Sequence, residues 1–141
     1  MAKLTLLILA LLLGAQVQAA DIVVIANAQN PVAELGKKQV VDLFMGRVSS
    51  FPDGIPANTL DLRPGTPLRA DFYRRLTGKS EAQVDAYWAT LVFAGRMSPP
   101  KQFSSEQKLI REVARDKSAI AYVSRQALPK NVTVVMELPS P

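Results

Sequence analysis

The chain has 141 residues, with 17 Lys and Arg against 12 Asp and Glu, and it contains neither cysteine nor histidine. The absence of these two residue types excludes zinc sites, disulfides, catalytic thiols and Ser-His-Asp triads. Carboxylates, cations, hydroxyls and backbone dipoles remain, and these suit binding better than covalent chemistry. We therefore expect no enzyme, no metal and no cofactor. The length predicts one domain with a core of its own.

Residues 1–19 have the pattern of a secretory signal peptide. Lys3 precedes the apolar run of residues 4–13, and Val17-Gln18-Ala19 supplies small residues for cleavage. The run is too short to cross a membrane, although an uncleaved anchor is the alternative. No cysteine follows for lipidation, so we expect a periplasmic or secreted protein that is not inserted in the membrane after cleavage. We expect residues 20–137 to form the domain and residues 138–141 a flexible tail.

The first half of the domain alternates strand and helix patterns. The β-branched run at residues 22–26 predicts a strand that is buried on both faces in a parallel sheet. A helix follows, with Leu35 and Phe44 on its apolar face and Gly46 at its end. The turn sequence Pro52-Asp53-Gly54 then leads to a short strand at residues 59–62.

Three helices and two strands are predicted in the second half. The helices are bounded by capping residues: Thr66-Pro67 and Gly78 for the first, Ser80 with Gln83 and Gly95 for the second, and Ser104 with Gln107 for the start of the third. The strands are expected at residues 119–123 and 132–136. The order β-α-β-α-α-α-β-β predicts an α/β fold with a single small sheet of about four or five strands flanked by helices.

The stretch from Asp61 to Arg69 is the candidate binding site. It places a strand end, a glycine turn and a helix N-terminus in succession, and helix N-termini attract anions through unpaired N–H groups and the macrodipole. Gly65 lets an anion approach the backbone, the Thr66 hydroxyl can donate, and guanidinium groups match two oxygens of a phosphate. We predict an oxyanion site formed by Arg63, Gly65, Thr66 and Arg69. The alternative is an ordinary helix cap with solvated arginines.

Three aromatic residues of the predicted helix between Ser80 and Gly95, namely Tyr87, Trp88 and Phe93, are predicted to belong to the core. A stacking platform for bases or sugars is the alternative. The basic pairs Lys37-Lys38 and Arg74-Arg75 are expected on solvated helix faces. The positive charges are scattered along an exported chain, so we expect no nucleic-acid partner.

Carboxylates do not suggest catalysis. Asp53 and Asp61 lie in or near turns and Asp71 lies on a helix, so nothing in their spacing brings them together as an acid–base pair. No nucleophile has an evident base beside it. An enzyme therefore has less support from the sequence than a ligand-binding protein or a protein–protein docking module.

Five fragments occur in an order that indicates a family: Asn30-Pro31 after the first strand, Leu43-Phe44-Met45-Gly46, Phe51-Pro52-Asp53-Gly54, residues 63–72, and residues 118–123. The last four resemble the motifs "IFxG", "W-x-DG", "R-x-x-G-S-G-T-x-x-x-F" and "GAIGYV". In this order the chain resembles the periplasmic phosphate-binding proteins of ABC transporters, within the type II periplasmic binding protein superfamily. The resemblance spans residues 22 to 136 and implies a substrate-binding role in transport.

In that family the arginine and the Ser-Gly-Thr of the fourth motif bind phosphate. The resemblance therefore implies inorganic phosphate, or a similar oxyanion, as the ligand of Arg63, Gly65 and Thr66. The chain departs from the motif, because its loop between Arg63 and Thr66 is shorter and Pro64 stands before Gly65 where the serine is missing. The glycines of the last motif are also replaced, by a serine and an alanine.

The resemblance covers one lobe, whereas family members close two lobes on the ligand. One lobe offers about half of the donors at an open, wet surface, so we expect binding that is millimolar or absent unless an envelope protein or a second copy completes the site. The sequence predicts an exported, single-lobe phosphate-binding-protein-like domain. The alternative is a ligand-free protein–protein docking or sensory module of the cell envelope with the same fold.

Overall fold

The structure is a computed structural model that describes residues 21–139. The predicted signal peptide and residues 140–141 of the predicted tail lie outside the described residues. The elements follow in the order β1 (Ile22–Asn27), α1 (Lys37–Phe44), β2 (Asn58–Leu62), α2 (Pro67–Thr77), α3 (Glu81–Phe93), β3 (Lys101–Phe103), α4 (Glu106–Arg115), β4 (Ala119–Ser124), a 3-10 turn (Arg125–Ala127) and β5 (Val132–Leu138). The predicted α/β fold, with one sheet flanked by helices, is confirmed.

The five strands form one mixed sheet in the order β3-β2-β4-β1-β5. β2 runs parallel to β3 and β4, whereas β1 runs antiparallel to both of its neighbours, β4 and β5. The expectation that β1 lies in a parallel sheet is therefore wrong. Every residue of β1 is buried, as predicted, but burial reports what covers the two faces of a strand and not the direction of its neighbours.

Two strands extend beyond the predicted pattern. The sequence does not predict β3, because three residues directly after Pro99-Pro100 are too few to show a periodicity. β5 continues past its predicted end at Met136 to Leu138, which pairs with Ile22 and is 6% exposed. The sheet thus reaches into the segment that was predicted to be a tail.

Aromatic rings join the helices to the sheet. Tyr122 of β4 stacks on Phe72 of α2, with ring centroids 3.7 Å apart and 7° between the ring planes. Phe44 of α1 meets both rings edge-on, and all three residues are completely buried. On the sheet's other face, α4 packs against β1 and β4 and buries Leu109 and Val113. Both faces of the central strands are therefore covered.

The predicted caps place the helices with small corrections. Gly78 follows α2 with φ of 74°, and Ser80 and Gln83 form the predicted capping box of α3. For α4 the cap is Ser105 and not Ser104, because the Ser105 hydroxyl accepts from the amide of the third helical residue. The helices α2 and α3 are consequently fixed at the same end of the sheet, where β2 ends.

Gly46 allows α3 to approach the end of α1 closely. Its φ is 70°, in the left-handed region that favours glycine. A Cβ atom at this position would lie 2.6 Å from Cη2 of Trp88 and 3.0 Å from Cε of Met97. The glycine is therefore required both by backbone conformation and by space.

We expect Gly46→Ala to be more destabilising than Gly78→Ala. Gly78 has the same left-handed backbone (φ 74°) but open space around its Cα, so its substitution costs about 1–2 kcal/mol of conformational strain alone. Gly46→Ala adds overpacking of about 1–3 kcal/mol against Trp88 and Met97. Urea unfolding of both variants measures the difference. Equal losses would show that the contact with Trp88 is not tight.

Candidate functional site

Arg69, in the first turn of α2, is the centre of a buried ion-pair network. The residue is 1% exposed. Its Nε donates to Oδ2 of Asp61 at 3.2 Å, its Nη1 to Oε1 of Glu81 at 2.8 Å, and its Nη2 to Oδ1 of Asp85 at 2.8 Å. Because three carboxylates occupy the three nitrogens of the guanidinium, an external anion has no open side of Arg69 to bind. We call Arg69, Asp61, Glu81 and Asp85 the Arg69 network.

Asp61, near the carboxyl end of β2, is the most deeply buried acid of this network. Besides Arg69, the donors to its carboxylate are the Tyr73 hydroxyl at 2.8 Å, the Tyr122 hydroxyl at 2.5 Å and the Leu62 amide at 2.8 Å. Burial raises the pKa of Asp61, because it removes water from the charged form. Its hydrogen bonds and the charge of Arg69 oppose that rise.

The same surroundings keep the donors of the network protonated. Burial alone would lower the pKa of Arg69, but its hydrogen bond to Asp85, the charge of Asp61 and its hydrogen bond to Glu81 raise it overall. Burial also raises the pKa of Tyr73 and that of Tyr122, and the charge of Asp61 adds to both shifts. All three groups therefore remain hydrogen-bond donors across the pH range in which the protein is expected to work.

The N-terminus of α2 is closed by Glu81. The backbone N–H of Gly65 donates to Oε1 of Glu81 at 2.8 Å, and this is the same oxygen that accepts from Arg69. The Thr66 hydroxyl donates to the carbonyl of Arg63 at 2.8 Å and forms no capping hydrogen bond, although Thr66 holds the predicted N-cap position. Arg63 is exposed, and its guanidinium has no partner among residues 21–139.

The structure thus places the four predicted residues at one end of β2 but divides their donors. Gly65 and Arg69 both donate to Glu81, and the hydroxyl of Thr66 is taken by the backbone. Of these four residues, Arg63 is the one whose side chain faces solvent and has no partner among residues 21–139. An external oxyanion at this position competes with the Glu81 carboxylate, which already receives two of the predicted hydrogen bonds.

Sequence reasoning did not identify the acids that complete this site. Glu81 and Asp85 are four residues apart in the first turns of α3, so they share one face and repel each other unless a cation lies between them. Asp61 occupies an inward position of β2, where a carboxylate needs a partner. The acid pair of α3 and the inward acid of β2 each require a nearby cation, and in the structure that cation is Arg69. Asp53 accepts from the amide of Ile55 in its turn and Asp71 pairs with Arg75, so neither residue belongs to the Arg69 network.

The aromatic residues of α3 do not share one environment. Trp88 is 6% exposed and belongs to the core, and Tyr87 is half-buried with its hydroxyl donating to the carbonyl of Met45 at 2.6 Å. The prediction for Phe93 is wrong, because this residue is 96% exposed. Phe93 is the last residue of α3 and lies five positions after Trp88, about 140° around the helix.

The basic pairs also differ from one another. Lys37, Lys38 and Arg74 are exposed, as predicted. Arg75 is not on a solvated face, because its side chain is 9% exposed and its Nη2 lies 2.7 Å from Oδ2 of Asp71. The interior of the protein therefore contains paired charges at two positions of α2.

Two further observations concern the described part of the chain. Within residues 21–139, no three His, Cys, Asp or Glu side chains are arranged to hold a metal ion. None of the helices in this range is both long and apolar enough to cross a membrane.

Solved structures with the same fold are phosphate-transport proteins. A phosphate ABC transporter substrate-binding protein from Clostridium perfringens, solved with bound phosphate, matches with a TM-score of 0.67 and 18% identity, covering 84% of this chain and 46% of that protein. A phosphate transport receptor from Vibrio cholerae matches with a TM-score of 0.65 and 14% identity over 84% and 47%. PstS from Borrelia burgdorferi gives 0.62 and 8% over 84% and 48%. No protein-family model and no curated protein sequence matches.

These likenesses concern the fold, because the sequence identities are low. The chain spans less than half the length of each of these three proteins. Its architecture, one five-stranded mixed sheet flanked by four helices, is that of a single lobe of a PstS-like periplasmic binding protein.

We expect Arg69→Ala to lower the free energy of unfolding by about 3–5 kcal/mol, because it leaves the buried carboxylate of Asp61 without its cation. Arg74→Ala removes the same side chain from the exposed face of the same helix and is expected to cost less than about 0.5 kcal/mol. Chemical denaturation monitored by circular dichroism measures both. A similar, small loss in the two variants would mean that the Arg69 network does not stabilise the fold.

Proposed function

We propose that the chain is an exported docking module of the cell envelope, built on one lobe of the periplasmic-binding-protein fold, in which Glu81 occupies the anion subsite. One observation carries this proposal: a single oxygen of Glu81 accepts hydrogen bonds from both Gly65 and Arg69 at 2.8 Å. The protein supplies its own anion to the donors that a bound phosphate requires. Its function then lies in contact with another protein, without catalysis and without a cofactor.

The charges around the start of α2 favour this function over phosphate binding. A phosphate at Gly65 would lie beside Glu81 and Asp85, while the charge of Arg69 is already balanced by its three acids. Two like charges 4 Å apart near a protein surface repel by about 4 kcal/mol. Among residues 21–139, Arg63 is the cation at the start of α2 that no acid pairs, and it is exposed and therefore screened by salt.

The size of the lobe points in the same direction. Burying a phosphate requires a full set of donors, because an incompletely paired charge is costly to remove from water. The lobe formed by the described residues, 21–139, offers one wall of such a site. Docking to another protein does not require that second wall.

Weak phosphate binding is the second candidate function. It is supported by the bound phosphate of the Clostridium perfringens neighbour and by the position of Arg63, Gly65 and Thr66 at the N-terminus of α2. In this case inorganic phosphate, or a similar oxyanion, displaces Glu81 and is held reversibly by the Gly65 amide and Arg63. An envelope protein or a second copy would then complete the site.

Export is part of both proposals. Residues 1–19 have the lysine, the apolar run and the small residues of a signal peptide, and the phosphate-transport neighbours are periplasmic binding proteins. We therefore place the mature domain in the periplasm or outside the cell.

Glu81→Gln tests whether Glu81 excludes the anion. The amide keeps an acceptor for Gly65 but removes the negative charge, so we expect phosphate affinity to rise at least about tenfold above that of the wild type. For the wild type we expect a dissociation constant in the millimolar range or weaker. Isothermal titration of both proteins with phosphate makes the measurement.

Two controls accompany this titration. Glu112→Gln removes a partly exposed carboxylate of α4 that pairs with Arg115, and it should leave phosphate binding unchanged. Arg63→Ala in the Glu81→Gln background should abolish the gained affinity. Micromolar, stoichiometric phosphate binding by the wild type would contradict the docking proposal and establish the second candidate.

A further inference from the structure

A groove lies beside the Arg69 network, on the side of the C-terminal half of α3. It consists of two cavities of about 330 and 270 Å³ that share Trp88, Pro99 and Pro100. The larger cavity extends toward Gly46 and β3, and the smaller one reaches Arg69 and Asp85. We call the two together the Trp88 groove. Its size is that of a site for a short peptide segment or a small ligand.

Trp88 is a wall residue of both cavities and carries a buried, unsatisfied hydrogen-bond donor. The residue lines both cavities and is 6% exposed, and its indole Nε1–H is buried without a hydrogen-bond partner among the described residues. Leaving a buried donor unpaired costs about 1–3 kcal/mol.

The apolar surface of the protein is concentrated at the same place. The large apolar side chains that are exposed in residues 21–139 are Val48, Val92, Phe93 and Met97. Val48 and Met97 line the larger cavity, Val92 lines the smaller one, and Phe93 follows Val92 at the end of α3. Exposed apolar patches beside a groove mark sites of protein interaction.

The surroundings of the larger cavity are cationic. Lys101 lines this cavity and no carboxylate of residues 21–139 does, whereas in the smaller cavity Asp61 and Asp85 are paired with Arg69. Arg47 and Arg96 are exposed and adjoin its lining residues in the chain, next to Gly46 and Met97 respectively. Arg47 lies 3.4 Å from Asp42, which is also paired with Lys38, so its charge is only partly balanced. An occupant with negative charge at its ends matches this rim.

We propose that the Trp88 groove docks an extended segment of a partner protein that carries apolar side chains between carboxylates. The apolar side chains pack against Phe93, Val92 and Met97 beside the indole ring of Trp88, and the carboxylates meet the cationic rim at Lys101. This inference rests on the docking function proposed above and names its surface.

Two other occupants fit the groove less well. A second copy of the chain would bring two cationic rims together, which like-charge repulsion opposes. A lipid surface would contact Phe93 and the basic residues, but a flat bilayer surface does not fill two concave cavities.

Trp88 is the single tryptophan of the sequence, so its indole N–H gives one resonance that reports on the groove. The probe is the capped peptide Asp-Asp-Leu-Phe-Asp-Asp, titrated into the full exported chain. We expect a saturable shift of the indole proton with a dissociation constant below about 1 mM. The peptide Lys-Lys-Leu-Phe-Lys-Lys should cause no shift at the same concentrations. Equal shifts with both peptides, or none with either, would overturn the proposal.

Surface variants locate the contact without disturbing the core. Phe93→Ser removes the most exposed apolar side chain, and Lys101→Glu reverses the charge of the rim; each should weaken binding of the acidic peptide at least about fivefold. Lys130→Glu makes the same charge reversal before β5, at the opposite edge of the sheet, and should leave binding unchanged. If all three variants bind like the wild type, the groove is not the docking surface.

Further measurements separate the occupants and the two proposals. Binding to phosphatidylglycerol vesicles with a blue shift of Trp88 fluorescence and no peptide shift would identify a lipid surface, and a dimer abolished by Phe93→Ser would identify a second copy; both overturn the inference. An envelope protein that binds wild type, Phe93→Ser and Lys101→Glu equally would retain the docking function but overturn this surface. Tight phosphate binding by the wild type would overturn the docking function itself.

Discussion

The ion pairing of Arg69 with three carboxylates holds together the region of the candidate binding site. Asp61 comes from β2, Arg69 from the start of α2, and Glu81 and Asp85 from the start of α3. One guanidinium therefore joins a strand and two helices. Because Arg69 and Asp61 are both buried, the loss of Arg69 leaves the charge of Asp61 uncompensated, so the geometry of this region is strongly constrained.

The same network places a carboxylate at the N-terminus of α2, where the sequence predicts an oxyanion. The N-terminus of a helix and an adjacent arginine attract negative charge, whatever its source. In this protein Glu81 is that source, since it accepts from both Gly65 and Arg69. An internal carboxylate is tethered, so it competes at a high effective concentration with any phosphate in solution.

The network and the Trp88 groove are parts of one surface. Asp61, Arg69 and Asp85 line the smaller cavity of the groove, and both acids are ion-paired with the guanidinium of Arg69. Fixing the start of α3 through Asp85 also fixes the helix that carries Trp88 and Phe93. A rigid, ion-paired base beneath an exposed apolar rim is an arrangement that suits protein docking, because little order has to be gained on binding.

The sequence by itself determined the fold class, the capped helices α2 and α3, four of the five strands and the apolar core, since these depend on local periodicity and capping. It also located Arg63, Gly65, Thr66 and Arg69 at the N-terminus of α2. Tertiary structure alone decided the antiparallel neighbours of β1, the exposure of Phe93, the short strand β3 and the hydrogen bond from the Gly65 amide to Glu81. The reason is that a cap or an amphipathic stripe is set by residues within one turn. The partner of a charge, by contrast, is chosen among groups that lie 8 to 16 residues away in the chain and meet only when the sheet and helices have packed.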